Sequence, residues 1–252
     1  MSADPFDDQA PANGRHFAST HWSVVAAAAQ RWSPEARQAL ETLCQTYWYP
    51  LYTYARRRLA NADDARDLTQ SFFVRLLEKD YLQAADPKRG RFRSFLLTAF
   101  MHFLAKERDH AQAQKRGGGR QTISFDFQAG ERRYTLEPVD RATPEALFER
   151  RWALTILEQA MARLRQEFVS AGKAALFDAL KGALAGDGTI GPYGDVANQL
   201  GMSEQAIKVA VHRLRRRYRE LLRAEIAQTV DRPEEVDEEL HALFAAVRGG
   251  KR

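Results

Sequence analysis

Apolar residues recur at helical spacing along most of this 252-residue chain, and breaks in that spacing mark where elements begin and end. Residues 1–18 are small, polar and acidic, which predicts a disordered extension. A short helix is expected from Thr20, the N-cap, through "THWSVVAAAAQ". The next starts with Ser33 as cap and Pro34 at its first position, and Ala36, Leu40, Leu43, Cys44 and Tyr47 share a face. Pro50 is expected to interrupt it, with helix resuming through Leu51, Tyr54 and Ala55. "NADDARDLTQSFFVRLLEKD" predicts a helix with acids in its first turn and Lys79 in its last. Its buried stripe is Leu68, Phe72, Leu76 and Leu77. A basic loop then leads into a long helix from about Phe92 that ends at Gly117, Gly118 and Gly119.

Residues 117–142 lose the rhythm, with a glycine triplet and two short alternating runs that leave room for a small hairpin. Thr143, Pro144 and Glu145 open the next helix. A short helix in "GKAALFDALKGALAG", a loop and a pair of helices follow. Asp231, Arg232 and Pro233 break the pattern before a last amphipathic helix ending near Val247. That tail helix is read as regulatory or as packing on the second domain. No run is long enough for a sheet. The expected fold class is all-α: two small helical domains, 19–116 and 143–230, joined by a flexible linker, 117–142, with a tail, 231–252.

The second domain is expected to contain a helix-turn-helix in "YGDVANQLGMSEQAIKVAVHRL". Such a pair needs a small residue at the helix crossing, glycine at the turn, and a β-branched residue on the second helix. Ala197, Gly201 and Ile207 hold those places, Val196, Leu200, Met202 and Ala210 fall on the inward side, and Ser203 can cap. The second helix continues as a stripe of Ile207, Val211, Leu214, Tyr218, Leu221 and Leu222. Lys208, Arg213, Arg215, Arg216, Arg217 and Arg219 flank that stripe. A helix of roughly 35 Å with this edge suits DNA, its first turns in the major groove and its arginines on phosphates. Ser203, Glu204, Gln205, Lys208 and His212 are best placed for base edges, with Arg213, Arg215 and Arg216 beyond them.

Composition narrows the options. Apolar residues make up 44% of the chain, enough for a core, and charged residues 28%. The net charge is only +5, so base matters through its clustering. Cys44 is the one cysteine, which rules out an internal disulfide or a four-cysteine zinc site, and it reads as a small buried hydrophobe. No window reaches the roughly 18 apolar residues of a membrane span, and no cofactor is expected. A reduced, cytoplasmic protein without membrane insertion follows. Asp63 and Asp64 form an acidic pair, but no phosphate loop, nucleophile elbow or HExxH surrounds them, so the chain does not read as an enzyme.

In the first half, Lys88, Arg89, Arg91 and Arg93 interleave with Phe92, Phe95, Phe100 and Phe103, and Lys106 and Arg108 extend the basic edge. Aromatic faces stack on unpaired bases while cations hold the backbone. Phe92, Phe95, Leu96 and Phe103 share helical spacing, so at least two of them are expected in the core. One duplex-reading module and one single-strand site together fit DNA that is opening.

Three stretches in this order resemble bacterial RNA polymerase sigma factors, namely the extracytoplasmic-function (ECF) group of the sigma-70 family. They are "YPLYTYARRRLANADDARDLTQSFFVRLLE" (49–78), "RGRFRSFLLTAFMHFLAKERD" (89–109) and "YGDVANQLGMSEQAIKVAVHRLRRRYRELL" (193–222). The resemblance implies core-polymerase binding near Asp64, Asp67, Gln70 and Phe73. It implies −10 recognition and melting by Lys88, Arg89, Arg91, Phe95, His102, Lys106 and Arg108, and −35 reading by the helix-turn-helix. Phe95 stands where the family usually has Trp, His102 where it has Asn, Arg66 where it has an acid, and Leu214 where it has Ala. The implied partners are core RNA polymerase and promoter DNA, duplex and melted, with an anti-sigma factor or a regulatory kinase as controlling partner. The alternative is a helix-turn-helix regulator that never binds polymerase. A helical adaptor using Trp22, Trp48 and Trp152 is a third reading, although these tryptophans fit better as core.

Overall fold

The computed structural model describes residues 34–77, 91–113, 125–136, 142–184, 191–230 and 232–249. All regular structure in them is helical, as the apolar periodicity predicts. The expected helix after Thr20, the Ser33 cap, Lys79, Lys88, Arg89 and the glycine triplet lie outside the described residues. No described helix is long and apolar enough to cross a membrane. The chain divides into two compact units. One draws on residues 17–155 and 226–252, and the described part of the other is 156–184 and 191–225.

The first unit contains α1 (Pro34–Arg58), α2 (Ala62–Leu77), α3 (Phe92–Ala113), α4 (Phe127–Leu136), the first turns of α5 (Pro144–Ser170) and α9 (Val236–Arg248). Its core is aromatic. Tyr47, Tyr54, Phe72, Phe92, Phe100, Phe103, Phe148 and Trp152 are fully buried. Phe72 meets Phe100 edge-on at 4.9 Å, near the close end of favourable ring spacing. Pro50 does not divide α1, contrary to expectation. The helix runs through it, because Leu43 and Tyr47 on one side and Leu51, Tyr54 and Ala55 on the other are all buried in one core. That shared burial outweighs the single ladder bond proline removes. On α2 the buried set is wider than the expected stripe: Phe72 and Leu76 are joined by Ala65, Thr69 and Phe73, while Leu68 is only half-buried. Cys44 is buried, and desolvation pushes its thiol up to about 12.

The region expected as a flexible linker contains a helix, α4, over residues 127–136. The alternating "SFDF" suggested strand, but Phe125 and Phe127 act as anchors. Phe125 stacks on Trp48 at 5.7 Å and meets Phe73 at 5.2 Å. Phe127 touches Trp48 at 5.4 Å and Tyr52 at 5.5 Å. Asp126 caps α4 by accepting from the Ala129 backbone N–H at 2.8 Å. Arg56 then donates two bonds of 3.0 Å to Glu131, which also accepts from the Tyr52 hydroxyl. A Cβ at Gly130 would come within 2.9 Å of the Trp48 ring, so only glycine lets the helix lie this close.

Of the two readings of the tail, packing on the second domain is corrected. α9 belongs with the first unit, because its acidic first turn faces arginines there: Glu238 lies 2.7 Å from Arg91, and Glu239 pairs with Arg93.

The second unit holds the rest of α5, α6 (Ala174–Leu180) with a following 3-10 turn, α7 (Tyr193–Leu200) and α8 (Glu204–Ala227) up to Glu225. Ile156, Leu164, Phe168, Phe177, Leu180, Ile207 and Leu214 form its core. The Tyr218 hydroxyl donates to the Leu157 carbonyl at 3.2 Å, and burial pushes that phenol up to about 12.

Candidate nucleic-acid interface

α7 and α8 are joined by Gly201, Met202 and Ser203. Gly201 has φ +64, a left-handed conformation that glycine adopts without Cβ strain. The Met202 N–H donates to the Ala197 carbonyl at 2.9 Å and closes the end of α7. Ser203 caps α8, its hydroxyl accepting from the Ala206 N–H at 3.2 Å. Val196, Ala197, Ile207, Ala210 and Val211 are buried between the two helices and their supports, while Leu200 and Met202 are half-buried.

The opposite face of α8 is polar and exposed. Ser203, Glu204, Gln205, Lys208, His212, Arg213, Arg215, Arg216 and Arg219 are all open to solvent. Helical spacing lines up Gln205, Lys208, His212, Arg216 and Arg219 along one side. Arg219, seven residues beyond His212, completes that side. Two arginines of the run bond to neighbouring groups of the fold while keeping much of their surface open. Arg215 donates to the Ala183 carbonyl at 3.0 Å. Arg217 makes bonds of 2.9 and 2.7 Å to Glu167 and a third of 3.1 Å to Glu220. Glu220 is held below the usual carboxylate range by hydrogen bonds from Arg217 and Arg216. Lys208 is raised by its hydrogen bond to Glu204, 2.7 Å away across one helical turn. A phosphate would replace that exposed partner at little expense.

On α3, helical spacing puts Arg91, Phe95, His102 and Lys106 on one side, with Arg108 off that side. His102, Lys106 and Arg108 are exposed, and Phe95 is half-buried against Phe92 at 6.1 Å. Phe92, Leu96, Phe100 and Phe103 are core, so Phe95 alone of these aromatics keeps a face toward solvent. Arg91 sits before the first turn, its carbonyl accepting from the N–H groups of Ser94 and Phe95 at 3.1 Å each. Its guanidinium is paired with Glu238 at 2.7 Å and Glu239 at 2.8 Å. Arg93 is only 5% exposed and faces inward, which removes it from any surface role.

The acidic edge of α2 is exposed at Asp63, Asp64 and Asp67, with Gln70 half-buried. Arg66 reaches both Asp63 at 3.0 Å and Asp67 at 3.1 Å, so part of this edge is neutralised from within. Phe73, expected to face polymerase, has no exposed surface here and lies against Phe72 and Phe125. A covered ring offers no contact to a partner, so Phe73 is corrected to a core residue. Among the described residues, no group of three or more His, Cys, Asp or Glu could hold a metal ion.

Comparison with curated proteins and with solved structures found no match. Residues 43–106, spanning most of α1, α2 and the first turns of α3, match the family model of Sigma-70 region 2. That match covers 64 of the 252 residues, so the likeness to sigma-70 factors is shown for this segment.

Proposed function

We propose that the chain is a sigma factor of the ECF group that docks on core RNA polymerase, reads −10 and −35 elements and promotes strand opening in the cytoplasm. The observation that carries this is the order of parts: a region 2 match over α1–α3, followed by the α7–turn–α8 pair with its exposed cationic side. In this reading α7 and α8 are a helix-turn-helix. Gln205, Lys208 and His212 face base edges of the −35 duplex, and Arg213, Arg216 and Arg219 contact phosphates. The Asp64, Asp67 and Gln70 edge meets polymerase. Phe95, His102 and Lys106 hold unpaired −10 bases and backbone, with Phe95 offering a stacking face. Binding extruded bases offsets the few kcal/mol of unstacking, so no bond chemistry is required of the chain. An anti-sigma factor or a kinase is the proposed controller.

Copurification with bacterial core polymerase, followed by run-off transcription on a genomic library, tests the reading. New start sites that depend on the chain are expected. Duplex binding with no association to polymerase would instead favour the conventional regulator, which the α7–α8 pair fits equally well.

A further inference from the structure

α9 is short and acidic at its start, with Asp237, Glu238 and Glu239 in its first turn and Glu234 and Glu235 just before it. Its footprint is narrow: Val236, Glu239 and Leu243 are its buried residues, and Phe244 is left 42% exposed. Two buried aliphatic side chains, Val236 and Leu243, and a set of ion pairs hold it in place. Glu239, itself 1% exposed, binds Arg93 and forms an ion pair with Arg91 that is off the N–H direction of a hydrogen bond. Arg93 does not depend on α9 alone, since it also donates to Glu149 at 2.6 Å and lies 4.4 Å above the Trp152 ring. Arg91 differs. Among the described residues its partners are Glu238 and Glu239, and its side chain is 32% exposed.

Guanidinium binds carboxylate and phosphate through the same planar fork. The carboxylates of Glu238 and Glu239 therefore occupy the guanidinium edge of Arg91 that a phosphodiester would need. We propose that α9 is a built-in acidic cover, and that its docking and single-stranded DNA on the Arg91 side of α3 exclude each other. The inference rests on the −10 role of α3 in the function proposed above. The docked cover lowers apparent DNA affinity by the fraction of molecules in which it is closed.

The test uses the full chain with core polymerase and a fluorescein-labelled bubble DNA, read by anisotropy. E238Q/E239Q is expected to bind roughly tenfold more tightly than wild type, and adding Arg91→Ala should abolish the gain. A double variant that keeps its helical circular dichroism yet binds no more tightly overturns the inference. Amide exchange on the wild-type chain gives an independent reading should the variant misfold. Saturating bubble DNA should speed exchange across residues 236–248, and unchanged protection there also overturns the inference. Loss of the cover alone leaves polymerase association intact. Absence of both polymerase association and bubble binding in wild type removes the sigma-factor reading itself and takes this inference with it.

Discussion

Arg93 and Arg217 each sit in an arginine-rich run of the sequence, but the fold uses them differently. Arg93 is 5% exposed, clamped between Glu149, Glu239 and the face of Trp152. Arg217 grips Glu167 with two bonds as well, yet both partners remain 41% exposed. The first is a buried charge whose removal strands another buried charge. The second is a surface pair that water and salt can replace. The difference teaches that a basic run has to be divided residue by residue into cations the fold consumes and cations it displays.

The sharpest way to break this comparison is Arg93→Ala. Removing it leaves Glu239 buried beside only Arg91, and a loss of about 3–5 kcal/mol in urea denaturation is expected. Arg217→Ala should cost no more than about 1 kcal/mol, and equal losses for the two would erase the distinction. Next in size is Gly201→Val. At φ +64 a β-branched residue is strained, so a drop of about 1–2 kcal/mol in thermal unfolding is expected, with DNA binding weakened as α8 loses its setting.

A smaller effect concerns Glu131, a half-exposed partner of the kind that lies between the two arginines compared. Hydrogen bonding from Arg56 holds its carboxyl below the usual 4.5, with the Tyr52 hydroxyl adding to the effect. Its folded value is depressed, so its stabilisation is present above pH 4.5 and disappears as pH falls through the folded value. Glu131→Gln should flatten the acid limb of the stability profile by about 1 kcal/mol or less, and an unchanged limb would discount the pair. The mildest change is Arg219→Ala or Arg213→Ala. Stability should shift by less than about 0.5 kcal/mol, while the salt slope of duplex binding falls by about 0.9 for each lost phosphate contact. An unaltered slope would move these residues from the displayed class to the consumed one.

Local chemistry made much of this legible. Pro34, the Thr143–Pro144–Glu145 start, Gly201 and Ser203 announce helix ends through capping and backbone freedom, and the helices begin or turn at them. The core face of α8 followed from spacing alone. What escaped was tertiary. Nothing local shows that Phe125 and Phe127 find Trp48, Tyr52 and Phe73, about fifty to eighty residues back, and draw residues 127–136 into a helix. For the same reason Phe73 read as a contact surface and Pro50 as a break. Packing of the tail on the second domain does not hold, because its carboxylates select Arg91 and Arg93, about 146 positions away, over nearer cations. Among candidate site residues, helical periodicity identified which side of α8 is displayed, but only the fold showed that Arg215 and Arg217 turn back to Ala183 and Glu167.

The seclusion of Cys44 has a practical side. With 6% of its surface open and its thiol pushed up to about 12, it presents almost no thiolate at neutral pH. Maleimide dyes should therefore pass it by and couple to cysteines introduced at open positions such as Met101 and Val209. Donor and acceptor fluorophores can then be installed on α3 and α8 of the otherwise native chain, and their separation followed as partners are added.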